Sequence, residues 1–260
     1  MDFRPPSPEP TFVTHTRSEQ LVQSDACATL RLRLVGAHPL WGHHLWNAAR
    51  VFADYLDTRR ETLCRERRVL ELGAGAGLPG LVAALDDAKR VVLTDYPDAD
   101  LLENLSINAQ ANAPDALASG RLCVKGYLWG ADVEQLGTDD PTVPAGSFDL
   151  IILSDLIFNH SQHRAMLRTV RELPADTALP PLVTRETSAP QALVFFTHHR
   201  PWLAARDLRF FTLAASDSKQ YGGFCVERVL EQRMQPMFAE DPGAETVRAT
   251  VHGYRLTLRE

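Results

Sequence analysis

The chain lacks a paired-cysteine signature. Its four cysteines, Cys27, Cys64, Cys123 and Cys225, are scattered with no C-x-x-C among them. That argues against a disulfide framework and a structural zinc site, and it suits a reducing, cytoplasmic setting. No apolar run approaches the length of a membrane span. The opening residues M-D-F-R-P-P-S-P-E-P hold no apolar core, so a secretory leader is not expected. A long basic run is also missing, and the net charge is −6, which disfavours a nucleic-acid partner. No membrane, no nucleic acid and no metal are therefore expected. Neighbouring histidines such as His198 and His199 point apart in an extended chain, and no third ligand is spaced to join them.

What the chain does have begins at V-L-E-L-G-A-G-A-G, residues 69–77. A short apolar strand runs into a glycine-rich turn, then a helix with Pro79 in its first turn, then a second apolar run ending in Asp95. Strand, glycine turn, helix, strand and acid form the layout of a nucleotide-binding βαβ unit. Two readings compete for the glycines. Gly73, Gly75 and Gly77 with Glu71 spell E-x-G-x-G-x-G, the shape of an S-adenosylmethionine turn. Gly75, Gly77 and Gly80 spell G-x-G-x-x-G, the dinucleotide shape. Position favours the first, because Gly73 directly follows the strand. Glu71 suits a sulfonium and an amino group but would repel a pyrophosphate. Asp95 is placed to accept hydrogen bonds from ribose hydroxyls.

Residues 1–25, rich in proline and polar groups, predict a flexible lead-in, and residues 26–260 a single domain. A strand is expected at 29–35 and a helix over 41–57. Strands follow at 68–72, 90–94, 121–125, 148–154 and 192–197. They alternate with helices at 79–85, 98–113, 160–173 and 202–215. Two final strands, 223–230 and 250–258, have no long helix between them. The fold class is therefore α/β: a Rossmann-like sheet with helices on both faces, a C-terminal antiparallel hairpin and an N-terminal strand/helix extension. Residues 132–147 and 174–190 read as surface loops.

The apolar strand in F-D-L-I-I-L-S-D-L-I-F-N-H, residues 148–160, ends in Ser154 and Asp155. Ligands bind at the carboxyl ends of strands in open α/β sheets, so Ser154, Asp155, Phe158 and Asn159 are expected beside a cofactor. Asp155 in a D-x-x-F pattern either holds and orients an acceptor amine, with Phe158 walling the approach, or caps the next helix. Trp129 reads either as a platform for an adenine face or as core, and Trp46 as a cover for the methionine end of the cofactor or as core. No histidine adjoins Asp155 in the sequence. The expected site therefore has no general-base histidine, which suits an α-amine better than a lysine.

These motifs occur together and in order with P-L-W-G-H-H-L-W-N-A (39–48), T-D-Y-P-D (94–98), G-Y-L-W-G (126–130) and H-R-P-W (199–202). The combination resembles the fungal protein N-methyltransferases that modify translation elongation factor 1-alpha. These are seven-strand class I enzymes once labelled nicotinamide N-methyltransferase-like. The resemblance covers roughly residues 38–258. It implies S-adenosyl-L-methionine as cofactor and elongation factor 1-alpha as protein substrate, methylated on its N-terminal glycine α-amine and the neighbouring lysine. It also implies that Trp46, Gly73, Ala74, Gly75, Asp95, Trp129 and Ser154 contact the cofactor, and that Asp155 and Phe158 flank the acceptor amine. Glu71, Gly77 and Tyr96, from the same turn and strand tip, complete the expected cofactor set. The chain departs from its relatives at Asp86-Asp87 and in the 174–190 loop. Three other readings stand beside this one: a small-molecule, nicotinamide-like N-methyltransferase, an NAD-binding oxidoreductase and a non-catalytic module that keeps the fold. The oxidoreductase lacks support from any Y-x-x-x-K.

Overall fold

The computed structural model describes residues 9–18, 28–36, 39, 41–137, 147–173 and 190–259. The chain opens with a two-stranded antiparallel sheet, β1 (Thr11–Thr16) and β2 (Thr29–Leu34), in which Thr11 pairs Leu34 and Thr16 pairs Thr29. Helices α1 (Asn47–Asp57) and α2 (Arg60–Leu63) follow. The main unit then runs β3 (Arg68–Leu72), α3 (Leu78–Leu85), β4 (Arg90–Asp95), α4 (Ala99–Asn112), α5 (Pro114–Ala118), β5 (Leu122–Gly126) and β6 (Leu150–Ser154). It ends with α6 (His163–Glu172), β7 (Gln191–Thr197), α7 (Ala204–Ala214), β8 (Phe224–Arg233), α8 (Glu245–Arg248) and β9 (Thr250–Leu258).

Seven strands form one sheet in the order β5-β4-β3-β6-β7-β9-β8. The first five run parallel, while β9 is antiparallel to β7 and β8 antiparallel to β9. This is the seven-stranded α/β sheet with a C-terminal antiparallel hairpin that the sequence predicts. The strands alternate inward residues between two cores, as a pleat of period two requires. Val69, Val91, Leu93, Leu150 and Ile152 pack with α1, α3 and the β1–β2 sheet. Leu70, Leu72, Val92, Ile151 and Leu153 pack with α6 and α7. Chain order reverses between β3 and β6, so the crevice at their carboxyl ends is the topological switch point where such sheets take ligands.

The structure corrects the N-terminal expectation. Residues 11–16, assigned above to a flexible lead-in, form β1, whose T-F-V-T-H-T alternation the nearby prolines obscured. Arg17 follows it into the interior. Its guanidinium pairs with Asp57 at the end of α1 (Nε–Oδ1 2.9 Å) and with Asp86 at the end of α3. All three side chains are almost fully buried. Asp86, read above as a loop departure, is thus a structural partner.

The free edge of β2 is not paired by a strand. Asn112 accepts from the Arg31 N–H and donates to the Arg31 carbonyl (2.9 and 3.0 Å). Asn108 does the same for Arg33 (2.7 and 2.9 Å). Asn108 also donates to the Ala76 carbonyl in the glycine turn at 3.1 Å. Side-chain amides of α4 therefore take the place of a third strand among the described residues and join the N-terminal sheet to the glycine turn.

Helix starts are later than predicted. α1 begins at Asn47, because Trp41 takes a left-handed φ of 63° and residues 41–46 turn before Trp46 forms the N-cap. Single 3₁₀ turns at His160–Gln162 and Pro201–Leu203 precede α6 and α7. The 132–147 loop carries a 3₁₀ turn, Val133–Leu136. Residues 138–146 and 174–189, and with them nearly all of the predicted 174–190 loop, lie outside the described residues.

Candidate active site

A cavity of about 610 Å³ opens at the switch point. The glycine turn contributes Gly73, Ala74, Gly75 and Ala76, and the tip of β4 contributes Asp95 and Tyr96. Trp129 enters after β5, Ser154, Asp155 and Phe158 after β6, and Trp46 from the N-cap of α1. Eleven of the thirteen residues expected from the sequence, Asn159 among them, thus share one wall-to-wall space.

Two do not. Glu71 is fully buried and absent from the cavity lining. Its Oε2 accepts from the Gly80 N–H at 2.8 Å, behind the turn. Burial first, and then the Asp95 charge, push its pKa up to about 8, against the opposing Gly80 hydrogen bond. Gly77 is the N-cap of α3 at φ 80°, and a Cβ there would stand 2.7 Å from Leu105 Cδ1. It serves the turn and the packing of α4, not the cavity.

The turn itself is shaped for close approach. Gly73 sits at φ 58°, and a Cβ on it would lie 2.7 Å from Leu156 Cδ2 and 3.0 Å from Trp129 Cζ2. Asp95 fixes the turn from the opposite strand: Oδ2 accepts from the Gly75 N–H and Oδ1 from the Tyr96 N–H, both at 2.7 Å. Ser154 lines the cavity, and its buried Oγ has no hydrogen-bond partner among the described residues.

Asp155 has a left-handed φ of 56°, a conformation in which Asp is enriched among non-glycine residues. Its N–H bonds to the Phe195 carbonyl at 2.7 Å. Its carboxylate does not cap the next helix: α6 has Gln162 as N-cap, without a side-chain bond. Instead Oδ1 meets the Thr197 N–H at 3.4 Å and Oδ2 meets His199 Nε2 at 2.8 Å. The expectation of no histidine beside Asp155 is therefore overturned. The partner lies two residues past the end of β7, forty-four positions away, and the pairing of β6 with β7 brings it there. Burial opposes protonation of His199, but the charge of Asp155 and its hydrogen bond, with Asp207 and Asp241 further out, outweigh it and raise the pKa. As expected, the two adjacent histidines diverge. His198 Nδ1 pairs with Asp207 at 2.7 Å, which His160 also meets at 2.6 Å. No cluster able to hold a metal is found among the described residues.

Sequence reasoning also missed Arg200, Gln162, His44 and Leu101, which line the cavity. Arg200 and His44 stand inside the motifs H-R-P-W and P-L-W-G-H-H-L-W-N-A, which gave neither a role.

The fold is shared with solved structures. A protein described as a SAM-dependent methyltransferase from Streptococcus mutans aligns with TM-score 0.54 at 11% identity, over 88% of this chain and 53% of that one. A second structure, described as a methyltransferase complexed with SAH, gives 0.55 at 11% identity, over 88% and 54%. The family model "Lysine methyltransferase" matches residues 30–200. The protein N-terminal and lysine N-methyltransferase efm7 of Schizosaccharomyces pombe is 41% identical over 98% of this chain and 92% of that one. EFM7 of Cryptococcus neoformans is 45% identical over 87% and 75%, and efm7 of Emericella nidulans 40% over 99% and 93%.

The fold, the cavity and these matches define a class I, S-adenosylmethionine-dependent methyltransferase. The chain belongs to the lysine methyltransferase family, with the fungal protein N-terminal and lysine N-methyltransferases as its relatives. The cavity fits the cofactor: the glycine turn permits close approach, and Ser154 Oγ and the Asp95 carboxylate bring polar groups to a lining that also holds Trp46, Trp129 and apolar side chains.

Proposed function

We propose that this enzyme methylates the N-terminal glycine α-amine of translation elongation factor 1-alpha, and then the adjacent lysine, in the cytoplasm. The names of its relatives support an N-terminal and lysine acceptor, and the motif resemblance supports the elongation factor. The observation that carries the reading is Asp155: a carboxylate held at a left-handed φ in the wall of the same cavity as the glycine turn, with Phe158 beside it.

In this reading Gly73, Ala74, Gly75, Asp95, Tyr96, Trp46, Trp129 and Ser154 hold S-adenosylmethionine. The bound cofactor supplies an electrophilic methyl group. The protein supplies orientation and exclusion of water. Asp155 accepts a hydrogen bond from the acceptor amine and directs its lone pair, and Phe158 closes the approach. An α-amine has a reference pKa of about 7.7–8.0 against about 10.4 for lysine, so a useful fraction is uncharged near neutrality.

The test is mass spectrometry of the N-terminal peptide of elongation factor 1-alpha after incubation with enzyme and S-adenosylmethionine. Methyl increments on the α-amine are expected first. An unmodified N-terminal peptide beside methylation elsewhere overturns the proposal.

A further inference from the structure

We propose that His199 is a positioning residue of the acceptor site: as the cationic partner of Asp155 it offsets the carboxylate's charge, so that Asp155 aligns an amine without trapping it as ammonium. This rests on the reading of Asp155 as the group that holds the acceptor.

A lone carboxylate is a poor neighbour for an amine nucleophile. It stabilises the charged form and raises the amine's pKa, commonly by 1–3 units for a close pair. The ammonium has no lone pair to attack with. The arrangement here differs, because Asp155 Oδ2 already holds His199 Nε2 at 2.8 Å, with the Asp155 side chain 4% exposed. Its Oδ1 faces the Thr197 N–H at a longer 3.4 Å. The His199 ring is fixed by Trp46, whose centroid lies 4.6 Å away at 55°, and Trp46 lines the cavity.

The other charged groups around His199 leave Asp155 as its direct partner. Asp207 on α7 is shared between His160 and His198. Asp241, between β8 and α8, acts only through longer-range attraction. His44, from the turn before α1, has its pKa lowered by burial, by His43 and by His199. Arg200 is the next residue and lines the cavity. A protonated His199 thus pairs with Asp155 and leaves that carboxylate close to neutral towards a third group. An amine N–H can then donate to Asp155 while the nitrogen stays uncharged.

The test compares wild type, His199→Gln and Asp155→Asn in the full-length enzyme. Gln keeps a neutral donor and removes the charge. The substrate is a peptide with a free N-terminal glycine followed by lysine, and initial rates are read from about pH 6 to pH 10 at saturating S-adenosylmethionine. For His199→Gln the acid limb should move up by about one unit, with the rate roughly tenfold down near pH 7 and converging on wild type at high pH. Cofactor affinity should stay within about twofold. A His199→Gln profile that parallels wild type at any height overturns the role of His199. A second readout needs no turnover: in histidine NMR of Asp155→Asn, the His199 titration should fall by about a unit or more, and an unmoved titration also overturns the proposal. Undiminished turnover by Asp155→Asn would instead sink the acceptor reading of Asp155 itself.

Discussion

Glu71 and Gly80 are joined across the end of β3 and the first turn of α3, Oε2 accepting from the Gly80 N–H at 2.8 Å. A Cβ on Gly80 would stand 2.6 Å from that oxygen. The third glycine of the dinucleotide-like spacing is therefore explained by packing against Glu71, and the turn needs no pyrophosphate to account for it. Glu71's other oxygen is buried without a partner among the described residues.

That burial makes stability depend on pH. Burial holds the Glu71 pKa up at about 8 in the folded protein, above the ordinary carboxylate value of about 4.5. The folded form keeps a proton that the unfolded chain releases, so this group's contribution falls as pH rises from 4.5 towards 8. Glu71→Gln should remove the slope, on the order of a few kcal/mol across that window. Urea unfolding at pH 5 and pH 8.5 checks it. Equal pH dependence in both proteins would mean that Glu71 ionises freely.

Asp155→Asn should cut turnover by about a hundredfold or more while cofactor affinity stays within a few-fold, lowering kcat rather than raising KM. Asn is preferred to Ala here because it tolerates the left-handed φ of 56°. Single-turnover rates with calorimetric titration separate the two effects. Unchanged turnover would reduce Asp155 to a turn residue.

Asp95→Ala should weaken S-adenosylmethionine binding by about ten- to a hundredfold, roughly 1.5–3 kcal/mol. The loss combines a ligand acceptor with the anchor that holds the Gly75 and Tyr96 N–H groups. Calorimetry on the folded variant decides; wild-type affinity would remove Asp95 from the cofactor set.

Arg17→Met should destabilise the fold by about 3–5 kcal/mol at pH 8, because it strands Asp57 and Asp86 as buried, uncompensated carboxylates. Burial already lifts Asp86 to about 7 despite Arg17. Without the guanidinium Asp86 favours protonation still more, so the deficit should shrink as pH falls to about 5. A deficit independent of pH would assign the loss to packing alone. Thermal unfolding at the two pH values distinguishes these outcomes.

The parallel sheet was legible because its central strands are nearly unbroken apolar runs and several of its turns carry a glycine or proline. The cavity followed from the rule that places ligands at strand tips, and it located Gly73, Asp95, Trp129, Ser154 and Asp155 together. His199 was invisible as a partner of Asp155, since their contact depends on the register of β6 against β7. Glu71 was misdirected because the motif reports the carboxylate and not the side of the sheet it points to. β1 was lost because a six-residue strand inside a proline-rich stretch carries little local signal, and the partners of Arg17 just after it, Asp57 and Asp86, lie far along the chain.

The asparagine ladder on α4 works as a ruler with two different scales. Four residues of helix advance about 6.0 Å, whereas two residues of strand advance about 6.6–6.8 Å. The rungs Asn112–Arg31 and Asn108–Arg33 keep step. Another rung would require Asn104 to meet residue 35, and it does not: its amide turns back to the Arg33 carbonyl at 3.0 Å and its Oδ1 takes the Arg33 guanidinium at 3.1 Å. A helix can impersonate a strand edge only until the two scales drift apart. One residue inserted into α4 between Asn108 and Asn112 would rotate the rungs off a common face, so that Asn108 keeps Arg33 and Ala76 while Arg31 loses its partner.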